Sequence, residues 1–478
     1  MPHIDSFDDI HKVYLIGICG TAMASLAGML QQRGYEVTGS DENVYPPMST
    51  YLENLGIPIL EGYTGEHLET FRPDLVVVGN AAAKTNAEAA WTLEHDLPYT
   101  SMPETIYELF IKGKHSIVIT GTHGKTSATS LMAWLLESAG RDPGYVVGGI
   151  PVNFGHNFKL GDGAEFVIEG DEYNTAFFDK GPKFLHYQAD SLLLNNIEFD
   201  HADLYDSLDT IIASFRAAVE QTGPDDLIVA NGDDENVMGL REHARGEWLT
   251  FGQSEACDVR VVDIDLNPEG ASFGIVWKGN EWSRFHSPMS GVHNVLNAAA
   301  TLAIARRRGV EAEVLQKGLE TFRGIKRRME VRGIVRGVTV IDDFAHHPTA
   351  IATTLDGARK SYPNRRIWAL YEPRSATSAR TQFEQGYKES FRKADLFILG
   401  PIFHKNRYGK SYPAESLMSV DGILEDLGAN GIEAVHIESF DEIAEHVARK
   451  AKEGDVVIAM SSGSFGGIHD KLLEALGK

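Results

Sequence analysis

The stretch Ile117–Ser127, IVITGTHGKTS, constrains this chain more than any other. Three β-branched residues, Ile117, Val118 and Ile119, predict a buried strand. That strand runs into Gly121-Thr122-His123-Gly124-Lys125-Thr126. A helical period follows, with apolar residues at Ala128, Leu131, Met132, Leu135, Leu136 and Ala139 and a stop at Gly140. Strand, glycine-rich turn, Lys-Thr and helix in this order make a phosphate cradle. Backbone N–H groups at the helix start point at anionic oxygens, Lys125 adds a cation, and the Thr126 hydroxyl suits a phosphate-bound Mg2+. The general pattern has a glycine five residues before Gly124, where this chain carries Ile119. A tight turn that happens to hold Gly-Lys-Thr is the alternative, and the flanking elements favour a nucleotide site.

A chain of 478 residues exceeds one core, so two to four domains are expected. Apolar residues make up 43%, and the 47 glycines suit α/β domains with tight strand-to-helix turns. The net charge of −24 repels nucleic acid backbones and argues against a nucleic-acid partner. A phosphate loop still binds small phosphorylated molecules, because its field is local and built from backbone dipoles. Two cysteines, Cys19 and Cys257, make no disulfide framework and point to a reducing compartment. The first residues, MPHIDSFDDIHK, are polar and acidic and unlike a secretory signal. No run of about 18 apolar residues occurs, so no membrane insertion is expected and a cytoplasmic location is. Nothing here speaks to oligomeric state.

Three α/β blocks follow one another, predicting three domains at 1–112, 113–323 and 324–478 with mostly parallel sheets. The first opens with a strand at Lys12–Ile16 and the turn Gly17-Ile18-Cys19-Gly20-Thr21. A helix to Gly34 and a second strand ending at Ser40-Asp41 complete a Rossmann-like opening. Cys19 stands where the second glycine of a dinucleotide fingerprint belongs. The turn therefore suits a nucleotide diphosphate, or no ligand at all. The second block carries the phosphate loop, strands at Glu165–Ile168, Ser191–Leu194 and Asp226–Ala230, an irregular β insertion at 258–288 and a helix over His293–Arg308. The third has strands at Val338–Ile341, Ile367–Leu370, Leu396–Leu399 and Val456–Ala459, and a helix starting at Pro348.

Polar clusters stand at the strand ends, where ligands of parallel sheets gather. Glu169-Gly170-Asp171-Glu172 follows one strand and is either a Mg2+-holding edge or a solvated loop. Asn195-Asn196-Ile197-Glu198-Phe199-Asp200-His201 follows another, with His201 a metal ligand or a hydrogen-bonding loop residue. Asp342-Asp343-Phe344-Ala345-His346-His347-Pro348 follows a third. It lacks zinc-ligand spacing, so no zinc site is expected there. Arg327-Arg328-Met329-Glu330 supplies cations for phosphates, or a charged hinge. Asn294 and Asn297 share neighbouring helix positions, able to read an adenine edge or to form a polar N-terminal face.

Taken in order, GTHGKTS, the Glu169 strand end, NNIEFDH, GVHNVLNAAA, the Arg-Arg-x-Glu hinge and DDFAHHP resemble the Mur ligase family, the ATP-dependent amide-forming enzymes of peptidoglycan synthesis. The resemblance runs over essentially the whole chain. It implies a Rossmann-like first domain, a phosphate-loop ATPase centre and a Rossmann-like third domain that holds the incoming amine. ATP and Mg2+ are the implied cofactors. The first block is similar to members acting on UDP-N-acetylmuramate. GICGTAM, SDENVYPPMST, GNAAAKTN, IEFDHADLYD, YEPRSATS and MSSGSFGGIHDKLL resemble the member that attaches the tripeptide L-alanyl-γ-D-glutamyl-meso-diaminopimelate in murein recycling, rather than the member adding L-alanine. Cys19 and Phe344 depart from the alanine-adding pattern.

The roles so implied are as follows. Gly121, Thr122, His123, Gly124, Lys125, Thr126 and Ser127 bind the ATP phosphates, and Asn294 reads adenine. Arg328 and Asp343 approach the nucleotide when the third domain closes. Thr126, Glu169 and His201 hold Mg2+. Lys125, Glu169, His201, His347 and Arg374 serve catalysis. Gly17, Cys19, Gly20, Thr21 and Asp41 hold the UDP-sugar, and Gly463, Ser464, Phe465 and Gly466 contact the peptide. A non-catalytic nucleotide-binding switch is the reading from another class.

Overall fold

A computed structural model describes residues 4, 6–42, 44, 48–199, 205–267, 269–374, 378–402 and 416–478. Among the described residues the strands form three sheets. The first holds β1 (Lys12–Ile16), β2 (Glu36–Asp41), β3 (Ile59–Glu61), β4 (Leu75–Val78) and β5 (Tyr99–Ser101). Its order is β3-β2-β1-β4-β5, and every pairing is parallel. Continuous apolar runs make this possible, because helices cover both faces: Tyr14, Leu15, Ile16, Val76 and Val77 are fully buried. The order reverses between β1 and β4, and the Gly17 turn leaves β1 at that point.

The second sheet contains β6 (His115–Thr120), β7 (Gly144–Val146), β8 (Phe158–Lys159), β9 (Glu165–Glu169), β10 (Ser191–Leu194), β11 (Leu227–Asn231), β12 (Glu247–Gly252), β13 (Val259–Asn267), β14 (Gly270–Trp277) and β15 (Asn280–Ser287). They run in the order β15-β14-β13-β12-β11-β10-β6-β9-β7-β8. The strands from β7 to β12 around β6 are parallel. The expected β insertion is real, and it does not stand apart. β13 joins β12 in parallel, then β14 and β15 continue the same sheet as antiparallel ribbons. A register shift between Val262 and Asp265 breaks the alternation there, which is why the sequence reads as irregular. The Arg306 guanidinium lies 4.2 Å from the Trp277 ring centre and 4.4 Å from that of Trp282, tying the ribbon to helix Val292–Arg307.

The third sheet comprises β16 (Glu330–Val335), β17 (Val338–Asp343), β18 (Ile367–Glu372), β19 (Leu396–Leu399), β20 (Glu433–His436) and β21 (Val456–Ser461), in the order β16-β17-β21-β18-β19-β20. All pairings are parallel except the antiparallel edge β16. Asp343 pairs with Met460, and Glu372 with Ser461, so the polar ends of three adjacent strands open on one edge. Ile325 packs in the second core and bridges Pro151, and Arg327 and Met329 then take positive φ (63° and 50°) as the chain turns into β16. No helix among the described residues is long and apolar enough to cross a membrane.

Candidate active site

β6 ends at Thr120, and the next residues curl into a turn that three asparagines hold from behind. The Thr122 N–H donates to the Asn196 carbonyl (2.9 Å) and the His123 N–H to Asn196 Oδ1 (2.7 Å). Asn195 Nδ2 donates to the His123 carbonyl and to Asn297 Oδ1, both at 2.9 Å. Gly124 has φ +82°, and a Cβ there would lie 2.5 Å from Asn195 Nδ2 and 2.9 Å from Asn297 Oδ1. Glycine is therefore required twice over, by backbone conformation and by space. Helix Lys125–Ser138 then starts on Gly124 with no side-chain cap. Its first N–H groups are left for an anion or water. Ser127 lies half-buried in that first turn.

Lys125 Nζ donates to the Gly121 and Thr122 carbonyls (2.7 and 3.2 Å) and to Glu172 Oε1 (2.9 Å), and lies 2.7 Å from Glu172 Oε2 as an ion pair. Burial works against its charge, but Glu172, Asp171 and Glu169 more than offset this and hold the ammonium above its ordinary range. Beside it, Thr126 Oγ1 donates to Glu169 Oε1 (3.0 Å), and the Gly148 N–H donates to Glu169 Oε2 (2.7 Å). Burial pushes the Glu169 carboxyl above the usual carboxylate range, with Lys125 opposing. A hydroxyl, a buried carboxylate and a cation around one helix start fit a triphosphate with Mg2+, which takes oxygen ligands. His201, the third expected metal ligand, lies outside the described residues.

The third domain reaches this site through its hinge. Asp343 is 4% exposed and accepts from the Met329 and Ala345 N–H groups (2.8 Å each) and from Thr354 Oγ1 (3.2 Å). Burial raises its carboxyl and Arg328 pulls the other way. Burial lowers the Arg328 guanidinium, which the charges of Asp343 and Glu169 support. Arg328 thus feels the charges at both the Asp343 and the Glu169 strand ends. Its charge adds to burial in lowering the His293 imidazole to about 4, so His293 is neutral at physiological pH. His347 caps helix Pro348–Ser361, with Nδ1 accepting from the Thr349 N–H at 3.4 Å, and its ring centre is 5.0 Å from that of His123.

Several expected residues stand elsewhere. Asn294 Nδ2 donates to the Ser290 carbonyl (2.8 Å), a local contact at a helix start, whereas Asn297 faces the phosphate loop. Arg374 is well exposed and lies across Gly463, where a Cβ would meet Arg374 Cδ at 2.2 Å. Arg327 donates to the Ser461 carbonyl at 2.8 Å and to that of Gly463, and Ser461 Oγ donates to Glu372 (2.6 Å). The Gly463–Gly466 turn is thus gripped between two arginines and an acid. The expectation for Phe465 needs correction. Its ring is fully buried, packed with Phe440 at a 6.0 Å centroid distance, and cannot meet a peptide through its side chain. A positive φ of 48° turns it inward, and removing an aromatic ring from water outweighs that strain. Ser464 and Gly466 flank it, and a Cβ on Gly466 would strike Phe440 at 2.0 Å. Glu172, Asn195, Asn196 and Asn297 were missed as individual partners of the loop, although each lies in a polar strand-end or helix-start run.

In the first domain the Gly17 and Ile18 N–H groups donate to the Ser40 carbonyl (2.8 and 3.0 Å), and the Cys19 N–H to Asp41 Oδ2 (3.0 Å). Helix Thr21–Gln32 starts on Gly20 without a side-chain cap. Two uncapped helix starts and an arginine-bearing hinge, all at the C-terminal edges of parallel strands, define a multidomain nucleotide-dependent enzyme.

Comparison with known proteins makes the class specific. Residues 12–113 match the description "Mur ligase family, catalytic domain", 119–305 the Mur ligase middle domain, and 327–463 the Mur ligase, glutamate ligase domain. The chain is 37% identical over 98% of its length, and 98% of the relative's, to the UDP-N-acetylmuramate–L-alanyl-γ-D-glutamyl-meso-2,6-diaminoheptandioate ligase of Escherichia coli K12. It is 33% identical to the UDP-N-acetylmuramate–L-alanine ligase of Desulfitobacterium hafniense Y51, over 95% of this chain and 97% of that one. The crystal structure of a murein peptide ligase from Psychrobacter arcticus 273-4 superposes with a TM-score of 0.72 at 35% identity, covering 98% of this chain and 99% of that one. The chain belongs to the Mur ligase family, and the three-domain α/β architecture expected from its motifs is borne out.

Proposed function

We propose that this chain uses ATP to join the lactyl carboxyl of UDP-N-acetylmuramate to the α-amine of the tripeptide L-alanyl-γ-D-glutamyl-meso-diaminopimelate. The observation that carries the reading is the convergence of Lys125, Thr126 and Glu169 with Arg328 of the third domain. This convergence supports a transfer between a first domain that would take the UDP-sugar and a third that would take the amine. The likeness to the tripeptide-adding relative over nearly the full length selects the amine.

Carboxylate and ammonium do not condense in water, because both are charged and hydroxide would have to leave. Activation solves this. A lactyl carboxylate oxygen bonds to the γ-phosphorus and ADP leaves, giving an acyl phosphate. The amine nitrogen then bonds to the carbonyl carbon and inorganic phosphate leaves. Lys125 and the uncapped helix start neutralise the transferring phosphoryl group, and Arg328 brings a further cation as the third domain closes. Thr126 and Glu169 would hold Mg2+, which supplies charge neutralisation at the phosphates. The His347 ring lies 5.0 Å from that of His123 in the phosphate loop, and with no metal bound it suits removal of the proton that the amine must lose. Arg374 and the Gly463–Ser464 backbone offer a cation and donors for the peptide's carboxylates. Closure shields the acyl phosphate from water.

The test is phosphate release by purified protein with Mg2+, ATP, UDP-N-acetylmuramate and either tripeptide or L-alanine. Faster release with tripeptide is expected. Release with L-alanine alone would transfer the chain to the alanine-adding activity, and ATP binding without release under either condition would leave a nucleotide-binding switch.

A further inference from the structure

Phosphate binding does not use every polar group at the junction of the second and third domains. His123 comes from the phosphate loop, Glu198 from the segment after β10, and His347 from the cap of helix Pro348–Ser361. One imidazole nitrogen from each histidine and one Glu198 oxygen lie within 4.8 Å of one another. His123 Nε2 is 3.4 Å from Glu198 Oε2, and Thr349 Oγ1 donates to that oxygen at 2.7 Å. Glu198 thus faces an imidazole on one side and a hydroxyl donor on the other.

The surroundings hold these groups in place. The His123 backbone is clamped by Asn195 and Asn196 through both its N–H and its carbonyl. The His347 ring stands edge-on to Phe383 (5.3 Å, 72°), and Phe383 lies nearly parallel to Phe199 (6.5 Å, 15°). An apolar wall thus covers one side of the cluster. Two imidazoles and a carboxylate are the donor set of borderline dications such as Zn2+ and Co2+, whereas Mg2+ and Ca2+ prefer oxygen alone. Bonds of about 2.0–2.2 Å in a tetrahedral site put donors roughly 3.3 Å apart, so shifts of about 1.5 Å or less gather the set. Coordination through His347 Nε2 places the proton on Nδ1 and gives up the 3.4 Å contact to the Thr349 N–H.

We propose that His123, Glu198 and His347 form a site for a zinc-class dication, separate from the oxygen ligands Thr126 and Glu169, whose occupation clamps the third domain onto the phosphate loop. Three protein ligands leave a fourth position for water or an anion. Because domain opening pulls His347 away from His123 and Glu198, the metal binds the closed arrangement and stabilises it by mass action. The site does not depend on which amine the enzyme accepts.

The test uses the full chain, free of nucleotide, in excess Mg2+. Equilibrium dialysis should retain one Zn2+ per chain, and Co2+ in its place should show the intense visible bands of a four-coordinate nitrogen-and-oxygen site. Glu198→Gln and His347→Ala should each weaken Co2+ binding by about 1000-fold or more, beyond the roughly 10–100-fold loss typical of an outer-shell partner. Thr349→Val keeps all three ligands and removes only a hydrogen bond to Glu198, so it should cost about 10-fold, far less than either ligand variant. Thermal unfolding checks each variant, and if His347→Ala does not fold, Glu198→Gln carries the test. Zn2+ should also slow limited proteolysis in the 326–329 hinge of the wild type. Absence of stoichiometric binding in excess Mg2+, or equal binding by wild type and Glu198→Gln, would overturn the proposal.

Discussion

The two glycine turns at 17–20 and 121–124 do the same backbone job with different equipment. Each leaves a buried parallel strand and enters a helix with no side-chain cap. Helices at Gly65, Ala87, Met102, Leu208, Val420 and Phe440, by contrast, each have a Ser, Thr or Asn cap. A cap would occupy the very N–H groups that an anion needs. The likeness ends there. The 121–124 turn is enclosed by Asn195, Asn196 and Asn297 and carries its own cation, Lys125, held by Glu172. The 17–20 turn is open: nothing lies within 4 Å of a Cβ at Gly17, and Asp41, an acid, takes the Cys19 N–H. Behind it Glu88, fully buried, accepts from Tyr14 (2.9 Å) and from Ser40, pairs with His67 (2.8 Å), and so steadies the strand end whose carbonyl anchors the turn. One turn is a closed cradle that brings its own counter-charge. The other depends on backbone donors and the tip of a neighbouring strand.

Removing the cation attacks this contrast most directly. Lys125→Ala should lower kcat/KM for ligation by about 10³-fold or more, the scale of losing a charged transition-state donor, while circular dichroism stays native. Near-normal phosphate release by that variant would break the assignment. Paired glycine substitutions come next, since Gly17 and Gly124 share φ +82°. Left-handed backbone costs a non-glycine residue about 1–2 kcal/mol at either place. Only Gly124→Ala also drives a methyl into Asn195 and Asn297. It should weaken ATP binding roughly 100-fold by calorimetry, against a few-fold change in UDP-sugar KM for Gly17→Ala, whose cost is the left-handed backbone alone. Equal effects would mean that the enclosing asparagines move aside freely.

The same contrast shows what a linear reading can reach. Both turns were legible, because a β-branched run followed by glycines and a helical period is a local signal. The pairing of Thr126 with Glu169 was legible too, since Thr126 opens the helix after β6 and Glu169 ends β9, the neighbouring strand of the same sheet. Glu172 was not, as three acids in four residues look alike until the loop folds back and one of them meets Lys125. Asn294 and Asn297 differ only by a small rotation about one helix, and packing alone makes the second, 4% exposed, the partner of the loop. Phe465 sits among glycines, where an aromatic reads as a ligand contact, and the chain turns it into the core instead. His123 and His347 fall in different domains, so no spacing rule could join them with Glu198. Chemistry carried by one segment shows in its residues; chemistry assembled by domain docking does not.

Asp41 sharpens the comparison from the side of the open turn. Its carboxylate accepts the Cys19 N–H, and asparagine can accept the same bond without the charge. Asp41→Ala should raise the UDP-sugar KM about tenfold, the worth of a hydrogen bond to a charged group, with ATP KM unchanged. Asp41→Asn should stay within about threefold if an acceptor is all the turn requires, since the hydrogen bond itself survives. A tenfold rise for both variants would show that the charge itself serves the ligand.

The smallest effect belongs to Cys19, and its smallness is informative. Burial first, and then the charges of Asp41 and Glu53, push its thiol up to about 11. An acid-flanked thiol is the opposite of the electropositive setting that makes a cysteine nucleophilic. Cys19 is therefore a neutral, weakly polar side chain over the whole physiological range. Iodoacetamide should modify it at pH 8 roughly 100-fold more slowly than an ordinary exposed thiol, with the rate climbing as pH approaches 11. Cys19→Ser should leave both KM values within about twofold, because the turn uses the backbone N–H at this position and not the side chain. Rapid labelling near neutral pH, read by peptide mass spectrometry, would mean that Cys19 is less buried in solution and that Asp41 is turned away from it. The 17–20 turn would then present one more free donor to a diphosphate than its hydrogen bonds indicate, and would resemble the phosphate loop more closely than the present comparison allows.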